Sequence, residues 1–163
     1  MRRSVIALVI AAAVLGWGIW ALRPTDEKII QRRLGKLTEL ATFPANESAF
    51  RRAMHPNELR EYFTEDVVVS FDVPGGSTQV IEGRGELIQI AALFRQRMRS
   101  ATFHLLDITV ASAPETQSAT ASMTMLVDIN GEKNSISQEL KMGFRKVDGF
   151  WLISQIETVK TLR

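Results

Sequence analysis

The acidic and amide side chains near the C-terminus are the first residues in this sequence that could do chemistry. In the stretch Val147 to Val159, "VDGFWLISQIETV", an Asp-Gly turn precedes an aromatic strand. Strict alternation along that strand places Trp151, Gln155 and Glu157 on the same side. A carboxylate under apolar cover has a raised pKa or needs a partner. Glu157 is therefore a candidate base or a member of a satisfied polar network.

Asp72, in "SFDVPGG", is the second candidate base. It follows a β-branched run that predicts a strand. A carboxylate in front of Pro74, Gly75 and Gly76 is also typical of a turn cap. Both a catalytic and a turn-capping role are consistent with this position.

Histidine and cysteine usage gives little support to metal chemistry. The chain has two histidines and no cysteine, which excludes disulfides, thiolate metal sites and a cysteine nucleophile. His55 precedes Pro56 and is predicted at a loop or helix boundary. His104 alternates with apolar residues and is predicted to face the interior, three strands away from Glu157. We expect no metal, no cofactor and no Glu157–His104 pair.

Helical spacing of apolar residues indicates the elements of the first half of the chain. Thr25 is a helix cap, and residues 26–41 read as an amphipathic helix. A short helix is predicted near 47–54, and another is predicted to start around Pro56. Residues 85–98 form the third principal helix.

The second half of the chain reads as an antiparallel sheet. "DVVVSF" and "TQVIEG" flank a turn cluster and predict a short hairpin. Four long strands follow, at about 102–111, 119–129, 134–146 and 150–162.

Two turn dipeptides, one Asn-Gly and one Asp-Gly, set the predicted register of the long strands. The first pairs Met125 with Ile136 and the second pairs Phe144 with Ile153. Both turns then agree on one apolar face, which the helices cover in an α+β layer with an antiparallel sheet. That face holds Ala121, Met123, Met125, Val127, Ile136, Leu140, Met142, Phe144, Trp151, Ile153 and Val159.

The N-terminal segment is apolar enough to meet a membrane. Residues 5–22 carry no charge, and this segment is just long enough to cross a hydrocarbon layer. Trp17 and Trp20 lie near the far end, where indole rings favour the interface. We predict that residues 1–23 are a transmembrane anchor, with a cleaved signal as the alternative. Residues 24–163 are then the second domain.

Charge counts bear on the partners and the compartment. Once Arg2 and Arg3 are set aside, 18 basic and 18 acidic residues remain, so this chain has no footprint for nucleic acid. A short basic head before an apolar run is the layout of an export signal. The basic residues after the run argue for the opposite orientation. We predict a single-pass protein of a bacterial cytoplasmic membrane with its domain on the extracytoplasmic side.

Three stretches resemble a known family. "YFTEDVVVSFDVPGG", "IEGRGELIQIAALF" and "FRKVDGFWLISQIETV" are similar to the first strand, third-helix entrance and final hairpin of the SnoaL-like branch of the nuclear transport factor 2-like superfamily. The resemblance covers roughly residues 27–160. It implies a cone-shaped sheet with helices that enclose an apolar pocket. The superfamily includes ketosteroid isomerase, polyketide cyclases and scytalone dehydratase, besides binding and assembly domains, so the fold leaves the function open.

The resemblance also implies what a catalytic site would need. Asp72 stands at the position of the isomerase base. Arg33 stands where the family's isomerases have a tyrosine, and Met142 where they have a second acid. Because those two groups stabilise the oxyanion, steroid-type isomerisation is not expected.

These observations favour a non-catalytic, membrane-anchored module that binds a small apolar ligand or a protein partner. A cofactor-independent isomerase, dehydratase or cyclase with Asp72 or Glu157 as base is the alternative. Arg33 is predicted to supply a positive charge to Glu157. Leu126, Leu152 and Ile156 on the outer face permit a homodimer. The predicted ligand pocket is lined by Arg33, Met123, Gln138, Met142, Trp151, Gln155 and Glu157.

Overall fold

The first helix, α1, spans Asp26–Ala41 in a computed structural model that describes residues 24–72, 78–131 and 136–159. Thr25 caps it by accepting a hydrogen bond from the backbone N–H of Lys28 at 3.5 Å. Ile30 and Leu34 are its fully buried residues. The predicted cap, bounds and inner side of this helix are confirmed.

Two further helices complete the helical layer. Helix α2 spans Ala49–Glu58 and continues into a short 3₁₀ segment, Leu59–Tyr62, and α3 spans Arg84–Arg97. The predicted break at Pro56 is wrong, because Pro56 lies inside α2 and is buried. A proline in the last turn removes one hydrogen bond and does not have to end the helix at once.

Six strands form one sheet in the order β2-β1-β6-β5-β4-β3. The β1–β6 pair is parallel and the other pairs are antiparallel. The α+β prediction is therefore confirmed, with one parallel pair added. The strands are β1 Phe63–Asp72, β2 Thr78–Glu82, β3 Ala101–Ala113, β4 Ser118–Ile129, β5 Ile136–Val147 and β6 Phe150–Thr158.

One of the two predicted registers is confirmed. Phe144 pairs with Ile153, as the Asp-Gly turn predicts. Met125 pairs with Gln138, whereas the prediction paired it with Ile136. This slip of two residues leaves each side chain on its predicted face, because the side-chain period of a strand is two.

Two β-bulges reverse faces that strict alternation predicts. The register of β6 against β5 shifts between Gly143 and Phe144 of β5, which leaves Ser154 of β6 as an extra residue without a partner position. In β3 it shifts between Leu106 and Thr109, next to Asp107 with its φ of 54°. Every residue beyond such an insertion faces the opposite side from the one predicted.

The core lies between the inner face of the sheet and the helices. Burial of each large apolar side chain stabilises the fold by about 1.5–3 kcal/mol. Ile136 and Val159, predicted to lie inside, are 55% and 40% exposed. Ile136 is the first residue of β5, and Val159 follows the end of β6, beyond the bulge at Ser154. The buried core cluster contains Ile30, Leu34, Leu59, Phe63, Val67, Ile88, Ala119, Ala121, Met123, Leu140, Met142, Phe144, Trp151 and Ile153.

The predicted anchor, residues 1–23, lies outside the described residues. Within 24–72, 78–131 and 136–159, no helix combines the length and the apolar character needed to span a membrane.

Candidate functional site

Three residues of the predicted pocket lie together in the interior. Trp151, Met123 and Met142 are 1%, 4% and 6% exposed and belong to the same core cluster. Side chains that lined a hollow large enough for a ligand would be accessible to solvent inside it. These three residues are instead enclosed by neighbouring atoms, so they fill the core.

The indole N–H of Trp151 makes a hydrogen bond at the edge of this part of the core. Its Nε1 donates to Oδ1 of Asp26 at 2.8 Å, and Nζ of Lys146 donates to the same oxygen at 3.1 Å. The hydrogen bond from Trp151, together with Lys146, holds the pKa of Asp26 below its usual value, because both donors favour the carboxylate. Asp26 thereby ties the start of α1 to the last two strands.

Glu157 and Gln155 lie on the outer face of the sheet, because the bulge at Ser154 comes between them and Trp151. The predicted register of the Asp-Gly turn, continued along β6, places Glu157 opposite Leu140 and Gln155 opposite Met142, and both of these pairings are wrong. Glu157 pairs with Lys141 in the register, and its Oε1 lies 3.5 Å from Nζ of that residue. Nε2 of Gln155 donates to Oε2 of Glu157 at 3.4 Å. The polar network exists, but it is exposed.

Arg33 and Gln138 are also separated from Glu157. Nη2 of Arg33 donates to the carbonyl oxygen of Glu61 at 2.6 Å, and its guanidinium lies 4.9 Å from the ring centre of Tyr62. The predicted Arg33–Glu157 contact is therefore wrong. Gln138 is half-buried opposite Met125 and donates to the carbonyl oxygen of Glu139 at 3.4 Å.

Asp72 is the last residue of β1 and pairs with Thr78, the first residue of β2, at the turn end of the first hairpin. Its Oδ1 accepts a hydrogen bond from Oγ1 of Thr78 at 2.6 Å, and its backbone N–H donates to Oγ1 of Thr158 at 3.1 Å. Both contacts hold strand ends together. The predicted turn at Pro74-Gly75-Gly76 lies outside the described residues, so the capping role of Asp72 stays a prediction.

The two histidines lie in unrelated places. His104 is exposed and pairs with Leu126, so the prediction that it faces the interior is wrong. Along β3 the inward positions before the bulge are odd-numbered, whereas Val110 beyond it pairs with buried Ala121. His55 lies within α2 and not at its boundary. In the described part of the chain, no group of His, Asp and Glu side chains is arranged to hold a metal.

Sequence reasoning missed a buried charged group, which we call the Glu47 cluster: Glu47, Arg52, His55 and Arg95. Arg95 is 3% exposed, and its Nε and Nη2 donate to the two carboxylate oxygens of Glu47 at 2.9 and 2.7 Å. Nη1 also donates to the carbonyl oxygen of Leu40 at 3.1 Å. The hydrogen bonds from Arg95 to the carboxylate hold the pKa of Glu47 below its usual value. In sequence, Arg95 lies in the basic stretch "FRQRMRS", which is typical of a solvated helix end and gives no signal of a buried pair.

Two clefts in the described residues lie at the surface. One, of about 560 Å³, is lined by Lys36, Glu39, Leu40, His55, Glu58, Glu61 and Tyr62. Another, of about 380 Å³, lies beside the last hairpin and is lined by Arg33, Arg60, Glu61, Arg84, Val147, Asp148, Phe150 and Leu152. Neither contains Met123, Met142 or Trp151.

Comparisons with known proteins agree with this architecture. A family model described as a SnoaL-like domain matches residues 45–158. No curated protein matches the chain.

Several solved structures have a similar fold. An NTF2-like protein with a cystatin-like fold from Novosphingobium aromaticivorans is 17% identical, covers 93% of this chain and 86% of its own, and has a TM-score of 0.62. From the same organism, a "Putative Scytalone Dehydratase" is 21% identical, with coverages of 82% and 83% and a TM-score of 0.57. A "putative aromatic ring hydroxylase" is 15% identical, with coverages of 85% and 90% and a TM-score of 0.63. At these identities the likeness shows the fold alone.

Proposed function

This chain belongs to the SnoaL-like domain family, and we propose that it is a non-catalytic interaction module held at the cytoplasmic membrane of a bacterium. The observation that carries the proposal is the filled interior. Met123, Met142 and Trp151, which would line a family-type pocket, are at most 6% exposed. Pockets for small ligands measure roughly 300–1,000 Å³, and a void of that size beside these residues would expose them.

The exposure of Glu157 supports the same proposal. Glu157 lies on the outer face beside Lys141, where solvent reaches both side chains. A general base needs a positioned substrate within hydrogen-bond reach and a pKa matched to its task. An exposed carboxylate paired with Lys141 on an open sheet face has no enclosed place beside it, among the residues that the structure describes, where a substrate could be held.

Attachment to the membrane is the second part of the proposal. Residues 5–22 supply an uncharged apolar segment of spanning length. The exposed outer face of the sheet, which includes His104 and Leu106, is then available to a protein partner or to a second copy of the chain. Ile156 is excluded from that face, because the bulge turns it towards the core.

A cofactor-independent enzyme is the second candidate, and Asp72 is the observation that favours it. Asp72 is half-buried at the end of β1, where the family's isomerases have their base. A protein of similar fold carries the name "Putative Scytalone Dehydratase". The bond from Thr78 would then orient the carboxylate rather than cap a turn. In that case Asp72→Asn abolishes turnover of a dehydratase or isomerase substrate, while the fold persists.

Xenon binding tests the filled interior. Full-length chain in lipid nanodiscs is exposed to xenon, and the methionine methyl signals are followed by NMR. We expect no saturable shift at Met123 or Met142 of the unmodified chain. The variant Met142→Ala should show a saturable shift at Met123, because the truncated side chain leaves an apolar cavity and such cavities bind xenon. Saturable binding by the unmodified chain would overturn the filled-core argument.

Photocrosslinking in native membranes tests the interaction role. A photoreactive residue at Leu106, on the outer face, should give one discrete adduct. The same residue at Phe50, on α2, is the matched control, because it is also exposed. A self-adduct identifies a homodimer, and no adduct at either position contradicts the interaction role.

A further inference from the structure

The tip of the last hairpin exposes an apolar surface. Phe150 is 63% and Val147 36% exposed, and they are cross-strand partners on the outer side of the turn Asp148-Gly149. Leu152 continues this surface along β6 and is half-buried. We call Val147, Phe150 and Leu152 the hairpin surface. The three side chains lie on one side of the hairpin, and an apolar surface made of several exposed residues is typical of a contact site.

Three arginines share a cleft with the hairpin surface. Arg33, Arg60 and Arg84 line it together with two acids, Glu61 and Asp148. The guanidinium of Arg84 donates to Oε1 of exposed Glu65 at 3.1 Å. The residues that line the cleft thus combine an apolar wall with three arginines and two acids, and Glu65 pairs with one of the arginines. Guanidinium groups suit phosphate, because their donors match its oxygens in a fork.

The hairpin surface is held close to the point where the predicted anchor ends. Trp151, the neighbour of Phe150, donates its indole N–H to Asp26 at 2.8 Å. Asp26 is four residues beyond Leu22, the last residue of the apolar segment. Four residues span at most about 14 Å when fully extended. If residues 5–22 cross the bilayer, this end of the sheet lies at the headgroup layer.

We propose that the hairpin surface docks on the membrane that holds the anchor, with Phe150 in the interface and the three arginines on the phosphates of anionic lipids. Phenylalanine side chains insert at the boundary between headgroups and acyl chains, and arginines are attracted to an anionic surface. This inference rests on the proposed membrane attachment. It orients the domain with the 148–149 turn towards the lipid and the Glu47 cluster away from it.

Spin labelling tests the docking directly, because the chain has no cysteine and single-cysteine variants label cleanly. Full-length Phe150→Cys and Phe50→Cys are labelled in nanodiscs that contain phosphatidylglycerol. Collisions with oxygen report lipid and collisions with a water-soluble nickel chelate report water. Phe50 is the matched control, since it is an exposed phenylalanine beyond the far end of α1, a helix of about 24 Å.

We expect a several-fold higher oxygen-to-nickel ratio at position 150 than at position 50. Equal ratios at the two positions would overturn the docking. A third label, at Ala13→Cys, reports on the anchor itself. An oxygen-rich label at 13 with equal ratios at 150 and 50 overturns the docking alone. A nickel-accessible label at 13 overturns both the anchor and the docking.

Lipid composition tests the arginine contribution. In nanodiscs of phosphatidylcholine alone, the ratio at position 150 should fall, because the anionic surface is absent. In Arg60→Gln the ratio in phosphatidylglycerol should fall in the same direction. A ratio that changes in neither comparison overturns the role of the arginines.

Discussion

The two ends of the sheet are each closed by a carboxylate, but in different surroundings. At one end, Asp26 accepts from Trp151 and Lys146, and its side chain is 22% exposed. At the other end, Glu47 accepts from Arg95, and both side chains are at most 4% exposed. The interaction energy of a charge pair rises as the surrounding water is removed, and so does the penalty for leaving one partner alone. The Glu47 end should therefore be the more sensitive of the two to mutation.

The largest effect is expected from Glu47→Gln. It leaves the guanidinium of Arg95 buried without its counter-charge, which should lower the free energy of unfolding by about 3–5 kcal/mol. Urea denaturation of the full-length chain measures this change. The double variant Glu47→Leu with Arg95→Met is the control, and it should be more stable than Glu47→Gln alone. A double variant that is less stable than Glu47→Gln alone would contradict the coupling of the two buried charges.

Trp151→Phe should have the next largest effect. It keeps an aromatic ring in the core but removes the indole donor to Asp26, at a cost of about 2 kcal/mol for a hydrogen bond to a charged group. The same denaturation experiment measures it. In an Asp26→Asn background the loss should be smaller, because the charged acceptor is gone. An unchanged loss in that background would show that ring size alone matters.

Acid should weaken the Asp26 contact in a defined direction. Since folding lowers the pKa of Asp26, its contribution to stability is fully present above the unfolded-state value of about 3.9. That contribution is lost as the pH falls through the lower folded value. The stability difference between the unmodified chain and Asp26→Asn should thus shrink below about pH 4. A difference independent of pH would contradict this assignment.

Glu157→Gln should have the smallest effect, below about 1 kcal/mol, because its pair with Lys141 is exposed. Lys141→Gln is the matched control and should give a similarly small change. A loss comparable with that of Trp151→Phe would mean that Glu157 is buried in solution. The outer-face placement would then be wrong, and the catalytic candidate would gain support.

Much of the fold could be predicted from local sequence. Thr25 and the apolar spacing after it predict α1 to the residue, and the Asp-Gly turn predicts the Phe144–Ile153 pair. The Asn-Gly turn was a weaker guide, because Met125 pairs two residues away from its predicted partner. Local signals of this kind are reliable where the turn itself holds the two strands in register.

The candidate site was predicted less well, for two separate reasons. Trp151, Met123 and Met142 lie inside as expected, but they fill space instead of lining it. Glu47 and Arg95 are 48 residues apart, and no periodic pattern joins them. An acid at the start of a predicted helix and an arginine at a helix end both look solvent-exposed in sequence. The pair is buried only when α2 and the end of α1 pack against α3.

The sequence by itself determined the helices, the strands, the apolar inner face and the family to which the chain belongs. The tertiary structure decided which side Gln155 and Glu157 face. One extra residue at Ser154 reverses every later side chain in β6, because the side-chain period of a strand is two. That insertion lies where β6 pairs with β5 on one side and runs parallel to β1 on the other. Its position depends on pairing with strands that are distant in sequence, so the local alternation of apolar and polar residues does not predict it.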